Sequence, residues 1–213
     1  MLLLYGAFVL HGVTILGVAH TAPFSPWSFG DYLSRMMPLL WIGMLFFLTF
    51  FTSPNARRAA VLTDAAPMPP KQYALARCAA ALTGGVLLGL LCMAEAAVFY
   101  GRMFHWYSWG SLLLPALVTL LPALVFALGS GWLLGRLRFW LLYVWMAVPF
   151  LLIALPLPEA LGLWNGSFFT AYPLTLETLD PAFALPLSAV MAQIFLLVTG
   201  GTMLAVCHGE RSD

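Results

Sequence analysis

Between Cys78 and Tyr100 the chain runs for 23 residues with a single charged side chain, Glu95, and from Ser111 to Leu134 it runs for 24 with none. Apolar runs of this length match a bilayer: a helix rises about 1.5 Å per residue, and a hydrocarbon core about 30 Å thick takes roughly 20 residues. In lipid the backbone must satisfy its own hydrogen bonds, which makes each run a helix. Six runs follow one another, at 2–19, 37–52, 78–100, 111–134, 139–157 and 182–207. The composition agrees, since 62% of the 213 residues are hydrophobic and 8% charged, against roughly a quarter charged in soluble domains. The expected fold class is an all-α membrane protein with six transmembrane helices, a single transmembrane domain over 1–213 without an independent soluble domain.

The connectors set the helix ends. His20 to Met36 is polar and aromatic, and its Trp27 and Tyr32 suit the headgroup layer. Pro38 is expected in the first turn of the second crossing. Pro115 and Pro122 are expected to deform the fourth crossing, with neighbouring helices satisfying the freed carbonyls. Pro158 to Pro181 carries Glu159, Glu177 and Asp180 and no Lys or Arg, yet it is half apolar. Short helices dipping into the outer bilayer surface are expected there.

Basic residues give the orientation. Arg57, Arg58, Lys71, Arg77, Arg136, Arg138 and Arg211 fall on one side of the expected bundle, and Arg35 and Arg102 on the other. The first side is expected to be cytoplasmic, which places both termini there. A net charge of +1 gives no footprint for nucleic acid. Cys78, Cys92 and Cys207 have neither C-x-x-C spacing nor a disulfide pattern and are read as packing residues. Met1 to Tyr5 has no basic n-region, so the first run is expected to remain as a helix rather than be cleaved.

The most polar interval is the cytoplasmic segment 53–77. Ser53 followed by Pro54 reads as a cap with proline at the first helical position. A short helix carrying Arg57, Arg58, Val61, Leu62 and Asp64 is expected to stop near Ala66, because Pro67, Pro69 and Pro70 cannot continue it. A second helix is expected to begin at Pro70 and run through Lys71, Tyr73 and Arg77 directly into the third crossing. Two helices joined by a proline elbow make a lever. A basic loop that merely obeys the positive-inside bias and binds lipid headgroups is the simpler alternative.

Catalytic signatures are missing. The chain has no G-x-x-x-x-G-K-[ST] phosphate loop, no H-E-x-x-H and no G-x-S-x-G, so neither ATP hydrolysis nor a hydrolytic site within the membrane is expected of it. Glu95, about five residues from the outer end of its helix, is either a satisfied carboxylate near Arg102 or His105 or part of the lining of a substrate path. His11, near the middle of the first helix, is either a packing residue or a second member of that lining. It has no histidine at matched depth, so haem is not expected.

At Arg57-Arg58-Ala-Ala-Val61-Leu62-Thr-Asp64-Ala-Ala-Pro67-Met-Pro69-Pro70-Lys71-Gln-Tyr73-Ala-Leu75-Ala-Arg77 the chain resembles the membrane subunit of a type-2 ABC exporter. Such permeases carry, between their second and third crossings, a basic stretch, a proline break and then a tyrosine and a basic residue. The resemblance implies a six-helix bundle with both ends inside and short outer helices before the last crossing. It further implies that Arg57, Arg58, Val61, Leu62, Asp64, Pro67, Pro70, Lys71, Tyr73 and Arg77 form the coupling segment that docks on a separate ATP-binding cassette ATPase. ATP and magnesium would belong to that partner, and this chain would carry no cofactor. A second permease, identical or not, would complete a path for a lipid, peptide or drug across the inner (plasma) membrane. Two features depart from the family: the amphipathic basic helix that usually precedes the first crossing is not seen before Leu2, and no glutamate opens the coupling stretch. The rival readings are a six-helix substrate-capture subunit of a vitamin or metal uptake system, and an intramembrane enzyme using Glu95 or His11.

Overall fold

The computed structural model describes residues 1–16, 18–53, 55, 56, 58, 70–155, 157, 161–176 and 178–209. Among the described residues the chain forms α1 (Leu2–Leu16), α2 (Pro26–Thr52), α3 (Pro70–Phe104), α4 (Gly110–Leu137), α5 (Trp140–Ala154), two short helices α6 (Gly162–Asn165) and α7 (Ser167–Thr175), and α8 (Leu187–Gly209). There is no strand among them. Four helices, within α2, α3, α4 and α8, are long and apolar enough to cross a membrane. The helices at the first and fifth expected crossings, α1 and α5, have 15 residues each, or about 22 Å, less than a full hydrocarbon core.

The largest difference from the sequence reading is in α2. It begins at Pro26, so most of the expected connector at His20 to Met36 is helix, and Pro38 lies inside the helix instead of in its first turn. The local cause is chemical: Ser25 caps the helix by accepting the Ser28 amide at 3.2 Å, and Pro26 follows at the first helical position. Trp27 and Tyr32 are fully buried within the protein rather than exposed on a connector. Trp27 packs among Phe168, Tyr172 and Phe183 and donates its indole N–H to the Pro181 carbonyl at 2.8 Å. The polar early turns of α2 are hydrophilic in sequence and interior in the fold because the α6–α7 pair covers them.

That makes α2 the axis of the molecule. It contacts α1, α3, α4, α5, α6 and α7. Close approach is bought with small residues: Phe47 fills the space beside Gly84, Met44 that beside Gly85, and Leu88 that beside Gly43. The remaining large contact, between α4 and α8, brings Gly129 against Gly200. α3 runs unbroken for 35 residues from Pro70 to Phe104. Pro115 and Pro122 lie inside α4 and Pro149 inside α5 without ending either helix.

Candidate functional site

The segment 53–77 reaches the described structure at its two ends. Arg57, Val61, Leu62, Asp64 and Pro67 lie outside the described residues, as do the side chains of Pro70 and Lys71 at the start of α3. Arg58 is exposed. Tyr73 and Arg77, one helical turn apart on α3, meet: the Arg77 guanidinium carbon lies 4.0 Å from the centroid of the Tyr73 ring, a distance at which a cation is attracted to the ring face.

Glu95 and His11 are not brought together. His11 is exposed on α1. Glu95 is half-buried, and its hydrogen-bond donor is neither Arg102 nor His105 but the hydroxyl of Tyr32 on α2, 3.3 Å from Oε2 and 3.3 Å from the Cys92 carbonyl oxygen. Its carboxylate occupies the space that a side chain on Gly6 would need, so α1 closes over it only because residue 6 is glycine. Glu95 therefore ties α1, α2 and α3 at one level.

A second polar group escaped the sequence reading. Asp31 is buried, 2% exposed, and its Oδ2 accepts from Arg35 Nε at 3.0 Å across one turn of α2; the Arg35 side chain is 50% exposed. Ser34 donates its hydroxyl to the Asp31 backbone carbonyl at 2.7 Å. Above them lies Gly166, at φ +80, where a Cβ would come within 2.6 Å of Asp31 Oδ1 and 2.7 Å of Ser34 Oγ. Only glycine adopts this left-handed bend without strain and leaves room for the acid. The Asp-x-x-x-Arg spacing of a helical ion pair was visible in Asp31 to Arg35. The helix that makes it meaningful was not expected there.

The third feature is an apolar recess of about 120 Å³, lined by Trp41 of α2, Phe126 of α4, Trp145 and Leu152 of α5, Trp164 of α6 and Leu196 of α8, among others. Its lining side chains are aliphatic or aromatic, and two of the three indole donors among them have partners. Trp41 Nε1 donates to the Trp145 carbonyl at 3.2 Å, and Trp145 Nε1 to Ser130 Oγ at 2.9 Å. Trp41 meets Trp164 edge to face with centroids 5.3 Å apart. Such a recess can hold hydrocarbon or an aromatic ring and offers no group for catalysis. No cluster of metal-ligating side chains occurs among the described residues.

The fold and these sites define the class: an all-helical membrane protein, with four helices long and apolar enough to span a bilayer and a few polar ties between them. No protein-family model matches the chain, and no curated protein or solved structure matches it either.

Proposed function

We propose that this chain is the permease subunit of an ATP-driven exporter of the type-2 ABC kind, working with a second permease and a separate ATPase subunit. The observation that carries the proposal is the continuity of α3. Its 35 residues join Tyr73 and Arg77, the end of the coupling motif, to Glu95 and Tyr100 in one helix. At 1.5 Å per residue it is about 50 Å long, whereas the hydrocarbon core is about 30 Å thick. Part of it therefore projects from the bilayer, and on this reading that part is its first turns, where a soluble partner can reach them.

On this reading the ATPase subunits dimerise on binding ATP and push the docked segment 53–77. A force applied near Arg77 tilts α3 as a rigid rod and opens or closes the path on one side of the membrane. ATP and its magnesium bind to the partner; this chain supplies geometry. Both termini and the basic segment lie in the cytoplasm of a cell whose inner (plasma) membrane holds the complex. The cargo is amphipathic or hydrophobic, in keeping with a recess that presents indoles and aliphatic side chains.

Substituting Val61 and Leu62 together by Asp tests the docking. The doubly substituted chain should insert normally and lose its ATPase partner on affinity purification from the native membrane. Retention of the ATPase at wild-type stoichiometry would refute the assigned docking segment. A wild-type preparation containing a tightly held small ligand and no ATPase would favour a substrate-capture subunit instead.

A further inference from the structure

We propose that the recess beneath Trp41, Trp145 and Trp164 is a seat for the acyl chain of a bilayer lipid, a site independent of whether the chain is a permease. The walls set the chemistry. The lining side chains are aliphatic or aromatic, and two of the three indole N–H groups among them, those of Trp41 and Trp145, are bound to the Trp145 carbonyl and the Ser130 hydroxyl. Those same bonds fix the ring orientations, so the hollow is held open by a hydrogen-bonded frame rather than by loose packing. Interiors close up around such space unless something fills it, since lining atoms without partners forfeit their dispersion contacts.

The mouth sets the source. The recess lies between α5 and α8, and the residues beside its lining on those helices face outward and are apolar: Leu151 and Ile153 flank Leu152, and Phe195 and Leu197 flank Leu196, all exposed. Neither α5 nor α8 from Leu187 to Ala205 carries a charged side chain. On α5 and α8, among the described residues, the opening is thus bordered by apolar surface that hydrocarbon solvates better than water does. Such a surface on a membrane protein meets the acyl chains of the bilayer.

The test is photolabelling of the full chain in vesicles containing a phospholipid with a diazirine midway along one acyl chain, followed by mapping of the adducts by mass spectrometry. Adducts should concentrate on Trp145, Val148, Leu152 and Trp164, several-fold above those on Phe8 and Leu87, which are exposed on α1 and α3. Val148→Trp, which fills the recess from α5, should reduce the first group to background and leave Phe8 and Leu87 labelled as before. Even labelling of all exposed apolar residues in the unsubstituted chain would overturn the proposal whether or not the variant folds. So would labelling unchanged by Val148→Trp, or cross-links from these residues to a second protein chain in place of lipid.

Discussion

Gly129 on α4 and Gly200 on α8 stack backbone on backbone: a methyl group on Gly129 would strike the Gly200 carbonyl, and one on Gly200 would lie 2.7 Å from the Phe126 Cα and the Val125 carbonyl oxygen. Neither obstacle is the end of a flexible side chain, so the helices must part to admit a larger residue. Gly200→Leu should destabilise the protein by about 1–3 kcal/mol, the usual cost of overpacking, seen as a lower midpoint of thermal unfolding in detergent. Gly201→Leu is the control, because nothing lies within 4 Å of its Cβ position. Equal losses from the two substitutions would show that the α4–α8 contact is not the cause.

Tyr32 and Glu95 give a measurable tie between α2 and α3. Interhelical hydrogen bonds in membranes are worth about 0.6 kcal/mol on average and up to about 1.7, so Tyr32→Phe should cost an amount in that range. A double-mutant cycle with Glu95→Ala should return a coupling of similar size, measured by reversible unfolding in mixed micelles. Zero coupling would mean that the 3.3 Å contact contributes nothing. Gly6→Val should disturb the same tie from the α1 side, since its side chain needs the space the Glu95 carboxylate occupies.

The Asp31–Arg35 pair should respond unequally to the loss of either partner. Arg35→Ala strands a buried carboxylate, a change that costs up to about 3 kcal/mol, whereas Asp31→Asn leaves a half-exposed guanidinium able to find other partners. Thermal stability should therefore fall further for Arg35→Ala. Gly166→Ala should be damaging as well: the left-handed backbone alone costs about 1–2 kcal/mol for a residue with a Cβ, and that Cβ would press on Asp31 Oδ1. The α6–α7 pair should loosen first, detected as faster hydrogen exchange across Ser167 to Thr175.

If α3 is the lever of a permease, breaking it should separate docking from motion. Ala79→Pro removes one helical hydrogen bond and introduces a steric clash, about 3 kcal/mol against the helix. The ATPase partner should still co-purify. An environment-sensitive label at Met103, exposed at the far end of α3, should lose the ATP-dependent signal that it gives in the otherwise unsubstituted complex. A signal that survives the break would mean that force does not travel along this helix.

Helix type and order were legible because apolar run length is a local property. Runs at 78–100 and 111–134 lie within α3 and α4, and the continuation of α3 back to Pro70 follows from proline at a helix start with no breaker after it. The beginning of α2 was misread although its signal, Ser25-Pro26, stands in the sequence. The residues behind it, Ser28, Asp31, Ser34 and Arg35, resemble a surface connector when read by polarity. Ser28, Asp31 and Ser34 are interior because Phe168, Phe169 and Gly166, more than 130 residues away, close over this turn of α2 while Arg35 stays half exposed, and no local pattern encodes that cover. The partner of Glu95 was missed for the same reason: Arg102 and His105 are near in sequence, but helix crossing brings Tyr32 instead.

The chain by itself determined that its long stretches are helices for a bilayer, since run length and the need to satisfy backbone hydrogen bonds in lipid leave no other form. What only the tertiary structure decided is which faces meet. Trp41, Trp145 and Trp164 converge on one recess, Asp31 is sealed beneath Gly166, and Glu95 reaches Tyr32 across two helices. In a sequence this uniformly apolar, hydrophobicity cannot distinguish a face that packs from one that meets lipid. Shape does so, through glycines that admit a neighbour and a few hydrogen bonds with one place to go.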